Sequence, residues 1–125
     1  MEQTAIEGVA LVGSHANGTA GADSDIDLMI LSTNRGQYLQ NQEWLSLFGR
    51  VNDSWRETWG CVETVRAMYE TIEVEYGFAP PTWAGIPIDE GTMRVVSAGM
   101  TILLDRECKL EALRQAFFAA RVATN

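Results

Sequence analysis

The sequence predicts a mixed α+β (α/β) fold: a twisted sheet of about four or five strands with helices packed mainly on one face. Three observations lead there. Short apolar runs ending at glycine alternate with amphipathic stretches. Two alternating segments in the middle of the chain read as an antiparallel hairpin. Hydrophobic residues make up 46 % and charged residues 21 % of 125, enough to fill one core, so a single domain over residues 1–125 is expected.

In order, Val9 to Val12 is an apolar run stopped by Gly13 and reads as a buried strand. Ser14 suits the N-cap of a short helix over His15 to Thr19. Ala20 to Ser24 reads as a turn. Asp25 to Leu31 alternates as a second strand, with Ile26, Leu28 and Ile30 on one face and Asp25, Asp27 and Met29 on the other. The acid-bearing face should therefore be at least partly free of helices. Asn41 to Phe48 looks helical, with Trp44, Leu45, Leu47 and Phe48 sharing a side and Gly49 as its C-cap. Val51 to Gly60 fits neither pattern.

Glu63 to Tyr69 and Ile72 to Phe78 form the expected hairpin, although Glu70-Thr71 lacks the usual Asn-Gly signal. Ala79 to Pro87 holds all three prolines and reads as a loop. Asp89 can cap a helix from Glu90 to Ala98 that Gly99 closes, Met100 to Leu104 reads as a strand, and a last helix runs from Glu107 to Val122. Its apolar stripe is Leu110, Leu113, Phe117 and Ala120.

The net charge of −8 argues against general nucleic-acid binding, because an acidic surface repels phosphodiester backbones. A triphosphate would need metal ions to approach such a chain, whereas cationic acceptors or a basic partner would be attracted. Cys61 and Cys108 match no zinc or redox spacing and read as free thiols. No apolar run reaches the roughly 18 residues of a membrane span. Met1 to Gly8 is acidic, unlike the basic start of a signal peptide. A soluble cytoplasmic protein, with no membrane partner, is the expectation.

The chemistry concentrates in Gly13-Ser14-His15-Ala16-Asn17-Gly18-Thr19-Ala20-Gly21-Ala22-Asp23-Ser24-Asp25-Ile26-Asp27-Leu28. Gly13 lets a ligand approach the backbone. Ser14 offers a hydroxyl, and the amides after it open a helix, which favours anionic oxygens. Asp25 and Asp27 are two residues apart on a strand, so their carboxylates point the same way from Cα atoms about 6–7 Å apart. That suits carboxylates sharing magnesium, an ion that takes oxygen ligands. Two such ions can stabilise the attacking and leaving oxygens of an in-line displacement.

Gly13-Ser14, ten intervening residues and Asp25-x-Asp27 resemble the signature of the DNA polymerase β-like nucleotidyltransferase superfamily, and most of all its minimal, single-domain members. The likeness is strong over Val9 to Leu31. It is weaker over Val62 to Asp105, where the order of elements agrees. It implies the nucleotidyltransferase fold. It also implies that Gly13 and Ser14 hold a triphosphate, that Asp25 and Asp27 bind two Mg2+ ions (Mn2+ as the substitute), and that a later strand supplies a third carboxylate. Glu73 and Glu75, in Ile72-Glu73-Val74-Glu75-Tyr76, face one side of their strand. Glu73 is favoured, because the segment is similar to the Leu-Glu-Val strand of aminoglycoside-modifying relatives, where the glutamate is a general base. Glu75 is the alternative, or a group supporting it.

Competing readings are weaker. Asp23, Asp25 and Asp27 would suit a calcium loop, but Leu28 and Asn34 stand where it needs Gly and Glu. Gly8 to Gly13 has P-loop spacing with Ser14 in the lysine place, which excludes a Walker loop. His15, the one histidine, reads as an exposed first-turn residue, with contact to the triphosphate as the sharper alternative. Asp23 suits a turn, Arg94 and Arg106 solvated surface, and the four tryptophans core or partner surface. Glu73 and Glu75 could also be an ordinary solvated strand face.

The resemblance implies transfer of a nucleoside monophosphate, AMP from ATP as the first choice, to an acceptor hydroxyl. The acceptor is either a small hydroxylated molecule or a partner protein. In the second case the chain would be an antitoxin-type minimal nucleotidyltransferase that binds or AMPylates its partner. A non-catalytic nucleotide-binding domain is the third reading, and a homodimer could complete the acceptor site.

Overall fold

In the computed structural model the described residues are 5–18, 21, 25–70 and 72–124. Six strands form one sheet: β1 (Ile6–Val12), β2 (Ile26–Ser32), β3 (Val51–Trp59), β4 (Val62–Tyr69), β5 (Ile72–Ala79) and β6 (Met100–Asp105). Their order across the sheet is β3-β4-β5-β2-β1-β6. β2 and β5 run parallel, and every other neighbouring pair is antiparallel. The helices are α1 (Ser14–Asn17), α2 (Gly36–Gln40), α3 (Glu90–Ser97) and α4 (Lys109–Thr124), with 3-10 turns at Glu43–Phe48 and Pro81–Ala84.

The mixed sheet is the one expected, with one strand more than the count from sequence. The additional strand is β3, whose residues are almost all exposed. It lies at the sheet edge, where few side chains are buried, so it carries no two-residue hydrophobic alternation.

Each face of the sheet has its own core. Ile30, Val65, Val74, Tyr76 and Phe78 face α2 and the first 3-10 turn, packing on Tyr38, Leu39, Trp44 and Leu45. Trp44 meets Tyr76 edge-on at 4.8 Å between ring centroids, and its indole N–H donates to Tyr38 O at 2.8 Å. This stretch departs from the expected helix over Asn41 to Phe48. Helix α2 ends at Gln40, and the residues after it wind more tightly, burying Trp44 and Leu45 and leaving Leu47 and Phe48 exposed. Gly49 does close it.

The opposite face packs Ala10, Val12, Met29 and Leu31 against α3, α4 and Trp83 of the second 3-10 turn. Leu110, Leu113 and Phe117 form the buried stripe of α4, each contributing about 1.5–3 kcal/mol on burial. Asp105 starts this helix by accepting from Leu110 N at 3.0 Å and Glu111 N at 2.9 Å. Asp89 caps α3 by accepting from Gly91 N at 3.0 Å. The expected loop over Ala79 to Pro87 is shorter than its prolines suggest, since β5 reaches Ala79 and Trp83 is buried.

Because β2 alternates, Asp25 and Asp27 share the face of Met29 and Leu31. The acids thus lie on the side of the two longer helices, not on a helix-free face. The hairpin β4–β5 forms with Glu70 itself at φ +47°, a left-handed conformation that non-glycine residues adopt at a cost of about 1–2 kcal/mol. The turn expected at Ala20 to Ser24 falls mostly outside the described residues. The helix expected to reach Thr19 ends at Asn17, because Gly18 takes the left-handed conformation at φ +81° and caps it. No helix among those described is long and apolar enough to cross a membrane.

Candidate active site

The site sits where β1 ends and β2 begins. Gly13 turns the chain out of the sheet with φ +78° and ψ −149° and is the N-cap of α1. Ser14 is the first helical residue, not the cap, and no side chain among the described residues caps this helix. The reason is local: φ near +80° at the cap position calls for glycine. A Cβ on Gly13 would lie 2.7 Å from Asp27 Oδ2, so glycine here is also required by the close packing of an acid on the backbone. His15 is half-buried on α1.

One register brings the acids together. β2 and β5 run parallel with Asp27 beside Glu75, so both carboxylates leave the sheet on the same face, with Glu73 two residues earlier in β5 and Asp25 just before β2 begins. Asp25, Glu73 and Glu75 present oxygens that all lie within 4.8 Å of one another. Both glutamates therefore join the site, with Glu73 the more buried, 12 % of its side chain exposed against 25 % for Glu75. Asp27 is set deeper. Its Oδ1 is buried and has no hydrogen-bond partner among the described residues, a costly state for a carboxylate oxygen.

The electrostatics follow from that crowding. Burial pushes the Glu75 carboxyl up to about 8, helped by hydrogen bonding to Asp27 and by that residue's charge, while Arg66 pulls the other way. The direction is upward because acids pressed together in a partly desolvated place ionise less readily than in water.

Two charged residues that the sequence reading did not single out complete the cluster. Arg66 of β4 stands opposite Glu75. It ion-pairs with Glu73, with Glu57 at 2.8 Å, with Glu75 at 3.1 Å and with Asp25 at 3.6 Å. Hydrogen bonds to Glu57 and Glu73 raise its pKa further, so it is permanently charged. Arg66 was within reach of sequence: counting outward from Glu70-Thr71 in the hairpin pairs it with Glu75 and sets it on the acids' face. Glu57 was not, because β3 carries no strand signal.

A cleft of about 620 Å³ opens beside the acids, lined among others by Gly13, Asp27, Glu75, Trp59, Trp83 and Arg94. Trp59 is an exposed rim residue and Trp83 is core, like Trp44. Arg94 pairs with Glu90 on the exposed side of α3, and Arg106 is exposed. Cys61 and Cys108 are free thiols. Asp23 lies outside the described residues.

Compared with known families, the sequence matches the one described as a nucleotidyltransferase domain over residues 1–66, more than half of the chain. The chain belongs to that family. This agrees with the polymerase β-like resemblance of the Gly13-Ser14 and Asp25-x-Asp27 motif. The nucleotidyltransferase domain is also similar in fold to an aminoglycoside 6-adenyltransferase from Bacillus subtilis, with a TM-score of 0.51 and 17 % sequence identity over 65 % of this chain. It spans 30 % of that protein's length. No curated protein matches the nucleotidyltransferase domain in sequence.

Proposed function

We propose that this domain transfers a nucleoside monophosphate from a nucleoside triphosphate, ATP in the first instance, to an acceptor hydroxyl, which bonds to the α-phosphorus as pyrophosphate leaves. One observation carries the reading: Asp25, Glu73 and Glu75 converge within 4.8 Å beside the Gly13 corner, where Asp27 Oδ1 is buried without a partner among the described residues. An all-oxygen donor set of this kind suits magnesium or manganese, and the orphaned Asp27 oxygen is the state a cation would relieve. The residues thus fit divalent ions held by Asp25, Asp27 and Glu73, with Glu75 as a further oxygen donor. When bound, such ions neutralise triphosphate charge and polarise the phosphate under attack.

The chain's own residues supply the rest. Gly13, lacking a Cβ, leaves its backbone open to phosphate oxygens, and Ser14 offers them its hydroxyl. Glu73 accepts the proton of the acceptor hydroxyl or completes the metal site. The reaction class needs little covalent help from protein, so orientation and charge stabilisation account for the acceleration.

The acceptor belongs to one of two classes, a small hydroxylated molecule or a partner protein as in an antitoxin-type pair. One incubation separates them: the purified domain, α-labelled ATP, Mg2+ and cell extract, analysed for label in protein and in small molecules. Asp25→Asn and Asp27→Asn are expected to abolish labelling while melting within a few degrees of wild type. Wild-type turnover by either variant, or no labelling with any extract fraction, would count against the proposal, the latter favouring a nucleotide-binding domain without catalysis.

A further inference from the structure

Arg66 occupies an unusual place. Its Nη2 ion-pairs with Glu73, lies 3.1 Å from Glu75 and 3.6 Å from Asp25. Those are the same three carboxylates whose oxygens lie within 4.8 Å of one another. The guanidinium thus stands where a cation shared by these acids would stand. A divalent ion takes carboxylate oxygens at about 2.0–2.1 Å. It could not be held by all three acids with a second positive charge still bonded to the same oxygens.

The other side of the guanidinium already has a second set of partners. Nη1 donates to Glu57 at 2.8 Å, and the central carbon lies 5.8 Å from the centroid of the Trp55 ring. Glu57 and Trp55 both belong to β3, and Trp55 is the direct cross-strand neighbour of Arg66. A carboxylate and an aromatic face are the two surfaces that hold a guanidinium best. A small rotation of the side chain away from β5 would keep both.

From this geometry we propose that Arg66 is the resident counter-cation of the acidic site, exchanging with the divalent metal and moving onto the Glu57–Trp55 wall when metal binds. In the metal-free protein it neutralises acids that would otherwise repel one another. On metal binding it gives up Asp25, Glu73 and Glu75 and keeps Glu57. The exchange makes metal binding a competition, so the bare domain holds divalent ions weakly. The proposal rests on the metal-binding reading above.

The test uses Mn2+ binding to the purified chain without nucleotide, followed by calorimetry and by the paramagnetic signal of the free ion. Arg66→Met keeps the apolar stem and removes the competitor. It should bind Mn2+ about tenfold more tightly than wild type, the scale of charge-assisted hydrogen bonds no longer lost. Arg66→Lys keeps the charge without the planar fork and should fall between the two. If Arg66 were instead a structural clamp, its loss would let the acids splay and weaken binding. Equal or weaker Mn2+ affinity in a folded Arg66→Met overturns the proposal; should that variant not fold, Arg66→Lys binding no tighter than wild type does the same.

A second readout follows the side chain itself. Mg2+ should change the tryptophan emission of wild type, and the change should vanish in Arg66→Met and shrink in Trp55→Phe. An emission unmoved by saturating Mg2+ overturns the exchange. Asp25→Asn distinguishes the two levels of inference. If wild type binds Mn2+, Asp25→Asn does not, and Arg66→Met matches wild type, the counter-cation role alone fails. If none of the folded proteins binds Mn2+, the metal reading fails with it.

Discussion

Replacing Gly13 by alanine sets a methyl carbon 2.7 Å from Asp27 Oδ2, on a backbone held at φ +78° and ψ −149°. Two costs add. The backbone region is one that essentially only glycine visits, worth about 1–3 kcal/mol. The Asp27 side chain must also move off its position, at about 0.5–1.5 kcal/mol for a strained rotamer. Together they come to about 1.5–4.5 kcal/mol, or roughly 10 °C in Tm for a chain of this size. Gly18→Ala is the control: its φ is +81°, but nothing among the described residues lies within 4 Å of the added carbon. It should lose only the backbone part, about 1–2 kcal/mol. The assay is thermal unfolding in metal-free buffer, paired with Mn2+ calorimetry. Gly13→Ala should melt lower than Gly18→Ala and also bind Mn2+ at least about tenfold more weakly, because the displaced acid is a metal ligand on this reading. Equal Mn2+ affinity in the two variants, or a Gly13→Ala melting point within about 2 °C of wild type, would refute the reasoning.

Other expectations follow from the same packing. The Glu75 carboxyl is raised from 4.5 to about 8, so the folded state binds more protons than the unfolded one between those values. Metal-free stability should therefore be highest below about pH 4.5 as far as this group is concerned, and fall as pH rises through 8. Glu75→Gln should remove that decline, and parallel unfolding curves for the two proteins across this range would rule it out. Tyr69 O–H donates to Leu45 O at 2.8 Å and its oxygen lies 3.0 Å from that of Tyr76. Tyr69→Phe leaves both neighbours unpaired and should cost about 1–3 kcal/mol, whereas Tyr76→Phe breaks one bond and should cost about 0.5–1.5 kcal/mol; urea unfolding gives the order. Asp105→Ala removes the acceptor for two amides of α4 and should cost about 0.5–2 kcal/mol by the same measurement.

Much of this molecule is local enough to be legible in its amino acids. The alternation of Asp25 to Leu31 puts two acids on one face whatever the fold. Asp89 caps α3, and the stripe Leu110, Leu113 and Phe117 is buried. The ten-residue spacing from Gly13-Ser14 to Asp25-x-Asp27 carried the family. Each of these depends on neighbours a few residues apart. The choice between Glu73 and Glu75 did not, because alternation gives them the same face and only the register of β5 against β2 sets their distances from Asp25 and Asp27. The edge strand β3 carries no periodic signal, since it buries almost nothing, yet it supplies Glu57 and Trp55 to the site. Which face the helices would leave open also lay beyond sequence. α3 and α4 pack on the acids' side of the sheet, and the cleft beside Gly13 and Asp27 is bordered by α3, a matter of helix placement. Above all, Arg66 gains its role from four carboxylates, Asp25 just before β2, Glu57 of β3 and Glu73 and Glu75 of β5. Charge is written in the sequence residue by residue, but its energy depends on inverse distance and burial, and those are set only when remote strands pair.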